Sequence, residues 1–110
     1  NLGDTSAKIE DLTGIKKYKD GFELIKDPDV DLVDITLPTH LHAEYTLAAL
    51  AAGKHVLCEK PICNDLADAK KVVAAAAKAR GKFMVAHCIR FWPAYEVLAE
   101  MVADNAREAV

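Results

Sequence analysis

The stretch His55-Val56-Leu57-Cys58-Glu59-Lys60-Pro61 decides the fold. His55-Val56-Leu57 is a short apolar run of strand type. Two opposite charges follow, and the proline ends the run because it has no N–H to give to a ladder. A residue before proline is biased towards extended backbone, so Lys60 is expected at the carboxyl end of a strand. An ammonium held there adds little to packing. The arrangement makes sense if the charge meets a ligand.

Working outward, the same grammar repeats. Val30 to Leu37 reads as a buried strand dominated by Leu32, Val33, Ile35 and Leu37. Asp34 interrupts it and is expected as an acid paired at the sheet face rather than as a ligand. Pro38-Thr39 ends that strand, and Thr39 is a suitable N-cap for a helix running to about Ala52. Gly53 stands where a left-handed C′ residue belongs. The helix's apolar face is expected to include Leu41, Tyr45, Leu47, Ala48 and Leu50. After the decisive strand, Asn64 or Asp65 caps an Ala-rich helix that stops at Gly81. Lys82 to Ala86 forms a third strand. A last helix starts near Trp92-Pro93 and runs to about Ala103, with proline suited to its first turn. Upstream, residues 5–13 read as a helix end stopped by Gly14, and Lys16-Lys17-Tyr18 as a weak strand. Residues 20–26 read as a short amphipathic helix closed by Pro28. Strands alternating with helices predict an α/β fold with a parallel sheet and helices on its faces.

Composition narrows the function. The chain has 110 residues, room for one domain, and is 52% hydrophobic, enough for a core. Its net charge is −3. No concentrated basic face is available for nucleic acid. No apolar run approaches a membrane span. Cys58, Cys63 and Cys88 are odd in number and lack zinc-site spacing, which suggests reduced thiols in a cytoplasmic protein. His40, His42, His55 and His87 are too dispersed to suggest a metal.

Parallel strands joined by right-handed crossovers end on a common edge, and ligands bind there. The first strand delivers Pro38, Thr39 and His42 to that edge. The second delivers Glu59, Lys60 and Pro61, and the third His87, Arg90 and Trp92. At the opposite edge, Asp29, Asp31, Lys54 and Lys82 look like solvated turns. Each candidate also has a plainer reading: Thr39 as a cap, His42 as a surface residue, Arg90 as a partner of Glu96, Glu59–Lys60 as a structural ion pair.

Three segments carry a resemblance. They are Asp31 to His42 (DLVDITLPTHLH), Ala52 to Pro61 (AGKHVLCEKP) and Ala86 to Tyr95 (AHCIRFWPAY). In this order they resemble the Gfo/Idh/MocA oxidoreductases, over about Gly14 to Met101. The resemblance implies part of a Rossmann fold, a doubly wound parallel sheet without its first βαβ unit. It also implies a longer protein, with a glycine-loop unit before this segment and a substrate domain after it. The function implied is hydride transfer between NAD or NADP and a hydroxyl of a sugar, polyol or related compound. Pro38, Thr39, His42, Glu59, Lys60, Pro61 and Arg90 would form the cofactor side of the site. Lys60 would also act catalytically at the reacting oxygen. The full-length protein would be a homo-oligomer. No G-x-G-x-x-G and no Asp-x-x-x-His pair occurs in the chain, so by itself it is expected to be inactive. Other readings are a non-catalytic nucleotide-binding or regulatory relative, and a truncated folding module.

Overall fold

The structure is a computed structural model that describes residues 13–108. The helix end expected over residues 5–13 lies almost entirely outside the described residues. The elements are α1 (Gly21–Lys26), β1 (Leu32–Ile35), α2 (Thr39–Ala51), β2 (His55–Glu59), α3 (Leu66–Ala76) and β3 (Phe83–Ala86). A 3-10 turn (Cys88–Phe91) and α4 (Pro93–Glu108) follow.

The three strands form one parallel sheet in the order β1-β2-β3, as expected. The register pairs Val33 with Val56, Ile35 with Cys58, and Cys58 with Val85. These residues share one face because side chains alternate along a strand. Ile25 of α1 and Ala49 and Leu50 of α2 complete the core on that face, and Val72 buries the α3 side. The sheet is therefore covered on one face only by the described helices, not on both. Strand order explains this: each crossover steps in the same direction, and a right-handed connection then always passes over the same side. On the other face Leu32 and Met84 remain 55% and 49% exposed. Asp34 lies there too, exposed and without an ion pair among the described residues, so the expected pairing is not made.

The face that α2 packs on the sheet overlaps the expected one at Leu50, with Tyr45 and Ala48 packed part-buried against the core, but it is centred on smaller residues. Its buried residues are His42, Ala43, Thr46, Ala49 and Leu50, while Leu41, Tyr45, Leu47 and Ala48 are half-buried. Small residues allow the helix to lie close on the strands. The larger ones fill the flanks, where Tyr45 stacks on Phe22 of α1 at 4.3 Å between ring centroids. Gly53 adopts φ 76° just past the helix, the left-handed C′ conformation expected of it.

α3 is capped by Asp65, whose Oδ1 accepts from Asp68 N–H at 2.9 Å. It ends at Ala76, well before Gly81. Gly81 is no helix terminator: a Cβ there would lie 1.9 Å from Lys54 O. Its role is to let the chain entering β3 pass against the start of β2. α4 runs to Glu108, five residues past the expected end, and Tyr95, Val97, Leu98 and Met101 are exposed along it.

Candidate active site

β1, β2 and β3 run parallel, with Ile35 opposite Cys58 and Glu59 opposite Ala86. The turns after them therefore leave the sheet along one edge. Strand polarity alone brings the three expected clusters to the same side of the molecule.

His42 links the first two clusters. It is 1% exposed, so it is not the surface residue that its place in the first helical turn would allow. Its Nε2 lies 2.7 Å from Leu37 O, in the turn leading into α2. Its Nδ1 lies 2.8 Å from Pro61 O, in the turn leaving β2. Both ring nitrogens are engaged with backbone, and the ring acts on the two turns from beneath.

Lys60 follows the last residue of β2. Its backbone N–H donates to the Glu59 carboxylate at 2.9 Å, and the Lys60–Pro61 peptide is cis. Glu59 and Lys60 do not form a side-chain ion pair. The carboxylate instead folds back on the Lys60 amide, and the exposed Lys60 ammonium has no partner among the described residues. Thr39 is likewise uncommitted. Pro38, with φ −56° and ψ 141°, occupies the N-cap position, and no side chain caps α2. Thr39 becomes the first helical residue, half-buried at the edge.

Arg90 sits in the 3-10 turn after β3, where its N–H donates to His87 O at 3.0 Å. It borders a shallow depression with Ile89, Tyr95, Glu96 and Ala99, yet makes no ion pair with Glu96. The described contacts tie Pro38, Thr39, His42, Glu59, Lys60 and Pro61 into one neighbourhood. They leave Arg90 at the next strand end without joining it to that group.

Behind the edge, Cys58 is fully buried, and burial pushes its thiol up, with partial relief from the Thr46 hydroxyl. Thr46 Oγ1 has no oxygen or nitrogen partner. A hydroxyl and a thiol thus face each other inside the core, where neither is available to a ligand.

The opposite edge holds a feature absent from the sequence reading. Asp27 is buried there, and its Oδ2 accepts from both Lys16 Nζ and Tyr18 OH. Its Oδ1 takes the Asp29 N–H at 2.9 Å, and its carbonyl takes Lys54 Nζ at 2.7 Å. Lys16 to Tyr18 form no strand; they wrap around this carboxylate. Lys54 is a fastener rather than a solvated turn residue. Asp27 followed by Pro28 was the available signal, since a carboxylate in a turn collects nearby N–H groups.

The residues of the active edge suit a dinucleotide. A free hydroxyl at Thr39, a free ammonium at Lys60 and the second oxygen of Glu59 supply donors and an acceptor for ribose hydroxyls. The Lys60 charge also favours an anionic group. Among the described residues, no glycine-rich turn is present to offer a row of N–H groups to a pyrophosphate.

The sequence matches the family described as an oxidoreductase family with an NAD-binding Rossmann fold over residues 3–87. It is 44% identical over 83 residues to 1,5-anhydro-D-fructose reductase of Ensifer adhaerens, covering 76% of this chain and 25% of that protein. Among solved structures, it is similar to an NAD-binding oxidoreductase from Klebsiella pneumoniae. The TM-score is 0.74 and the identity 45%, over 81% of this chain and 24% of the other. It is also similar to levoglucosan dehydrogenase in complex with NADH and levoglucosan. There the TM-score is 0.74 and the identity 37%, again over 81% of this chain and 24% of the other. The chain spans about a quarter of the length of these proteins. With the strand-end motifs at one edge of a parallel sheet and this match across most of its length, the chain belongs to the Gfo/Idh/MocA family of oxidoreductases.

Proposed function

We propose that this chain is the carboxyl-side part of a dinucleotide-binding domain, in a longer protein that transfers hydride between NAD or NADP and a hydroxyl of a sugar, polyol or related compound. The observation that carries this reading is the Lys60 ammonium, unpartnered at the carboxyl edge of a parallel sheet while its backbone is held by Glu59. Relatives named 1,5-anhydro-D-fructose reductase and levoglucosan dehydrogenase, the latter solved with NADH and levoglucosan, support the substrate class.

In this reading Pro38, Thr39 and Pro61 line the dinucleotide, Glu59 lies near the nicotinamide ribose, His42 holds the turns, and Arg90 closes the nicotinamide side. Lys60 touches both the ribose and the reacting oxygen. As the substrate hydroxyl loses its proton, negative charge grows on the oxygen, and a preorganised ammonium stabilises it. The bound dinucleotide supplies the hydride chemistry. The three free thiols accord with a cytoplasmic setting. No described helix is long and apolar enough to cross a membrane, and the net charge of −3 disfavours nucleic acid. A homo-oligomer is proposed for the whole protein.

The test is steady-state kinetics on the complete protein, following nicotinamide absorbance with anhydro-sugars and cyclic polyols. Lys60→Met keeps much of the side chain's shape and removes its charge. Turnover should fall roughly a hundredfold or more, as loss of one preorganised contact does. Lys60→Arg should restore little, because its planar fork is larger and differently shaped. Near-normal turnover in Lys60→Met would make the Glu-Lys-Pro turn structural and withdraw the catalytic assignment.

A further inference from the structure

The corner where β3 gives way to α4 collects side chains that the core does not use. The 3-10 turn brings Ile89 and Arg90 round, and the first turns of α4 bring Tyr95, Glu96 and Ala99. Together they line a depression of about 390 Å³. Trp92 O accepts from the Tyr95 and Glu96 N–H groups at 2.8 and 3.1 Å, which ties the start of the helix to the turn. The Trp92 and Tyr95 rings meet edge to face, with 6.2 Å between centroids and 67° between planes.

The chemistry of this lining selects a ligand class. Arg90 presents a fork of donors, and the Glu96 carboxylate only accepts. The two side chains pair neither with each other nor with any other described residue. An anion here would meet the Glu96 charge, and a cation the Arg90 charge. A purely apolar ligand would strip water from both without replacing it. A neutral hydroxyl group satisfies both, since it accepts from the guanidinium and donates to the carboxylate. Tyr95 meets the other need of a sugar or cyclic polyol. The face of an aromatic ring carries partial negative charge, and polarised C–H bonds pack well against it.

We propose that this depression is a subsite for the non-reacting hydroxyls of a neutral polyhydroxylated ring. Glu96 accepts from the hydroxyls, Arg90 donates to them, and Tyr95 packs on the C–H face. β3 pairs with β2, Ala86 opposite Glu59, and neighbouring strands lie about 4.8 Å apart. The depression is therefore at the strand end next to that of Lys60, and a ring gripped here presents a further hydroxyl towards the ammonium. Arg90 has donors enough to serve the nicotinamide side as well. The link to turnover rests on the oxidoreductase reading given above; the hydroxyl-binding chemistry of the lining does not.

The experiment is steady-state kinetics on the complete protein with levoglucosan and inositol as probes, at saturating dinucleotide, with the dinucleotide KM measured in parallel. Glu96→Gln keeps the side chain's shape and removes its charge. It should raise the probe KM roughly tenfold, the loss of one hydrogen bond to a charged group, with kcat and the dinucleotide KM unchanged. Tyr95→Leu should raise the probe KM roughly fivefold, and Tyr95→Phe, which keeps the ring, should leave it at the wild-type value. An unchanged probe KM in Glu96→Gln overturns the proposal. So does a rise in the dinucleotide KM instead, which would give the depression to the cofactor. Both residues are exposed, so the variants should fold; if one does not, the other decides. If the wild-type protein transfers hydride with neither probe, the substrate class proposed above fails. Calorimetric titration of the same probes into wild type and Glu96→Gln then tests the subsite alone. Binding weakened about tenfold by the substitution supports it, and equal binding, or none in the wild type, overturns it.

Discussion

Gly81→Ala tests the packing on which the sheet register depends. A Cβ at Gly81 would lie 1.9 Å from Lys54 O, 2.5 Å from Lys54 C and 3.0 Å from His55 N. All three are backbone atoms at the start of β2, so no side chain can swing aside. To reach ordinary contact, the lead into β3 has to retreat by roughly 1.5 Å. Two hydrogen bonds hold that approach: Val56 N–H to Lys82 O at 2.8 Å, and Lys82 N–H to His55 Nδ1 at 3.0 Å. Neither survives such a separation. Losing both costs about 2 kcal/mol at about 1 kcal/mol each. Forcing a methyl into a filled space adds about 1–3 kcal/mol. The total is about 3–5 kcal/mol, a large part of the ~5–15 kcal/mol that holds a domain together. Gly53→Ala is the control, because its φ is 76° and no atom lies within 4 Å of its Cβ position. It should lose only the left-handed penalty of about 1 kcal/mol. Urea unfolding followed by circular dichroism measures both. If the two variants fall within about 0.5 kcal/mol of each other, the close approach at Gly81 is not what excludes a side chain.

Two further outcomes are expected. Lys16, then Tyr18 and the Asp29 amide, hold the Asp27 carboxyl well below the usual carboxylate range. A depressed folded-state value contributes stability above the unfolded-state value of 3.8 and loses it as pH falls below that point. The urea midpoint should therefore drop on acidification below 3.8, and Asp27→Asn should flatten that limb; an unchanged limb would show that the cluster contributes nothing to acid sensitivity. For the thiols, Cys88 is exposed, while Cys58 is fully buried with its thiol pushed up. Maleimide labelling read by peptide mass spectrometry should modify Cys88 first and Cys58 only after unfolding; rapid native labelling of Cys58 would contradict the packing of α2 on β2.

From α1 onward, the element order, the parallel sheet and the residues at its carboxyl edge were legible in the sequence, whereas the strand expected at Lys16 to Tyr18 is not formed. The legible features follow from local rules. Apolar runs of strand length, Asp65 as a cap, Gly53 past a helix and Pro61 after a strand each act over a few residues. Strand polarity then carries local order into the position of the site, and the strand-end motifs were sufficient to mark the family. What the tertiary structure decided was everything set by contacts distant in sequence. α2 turned His42, Ala43 and Thr46 inward rather than Leu41 and Leu47, because close approach to a sheet favours small residues over the most apolar ones. Thr39 gave up the cap to Pro38, leaving its hydroxyl uncommitted. Asp27 gathered Lys16, Tyr18 and Lys54 from separate segments. Gly81 was read as a helix stop because glycine often ends helices; its actual constraint is the Lys54 carbonyl, 27 residues back in the chain and 1.9 Å from where a side chain would begin. His42 shows the same division: its place near the edge was legible, but its two carbonyl partners lie five and nineteen residues away, on opposite sides of it in the chain. Only the packing of α2 against β1 and β2 puts both within hydrogen-bond reach of one ring.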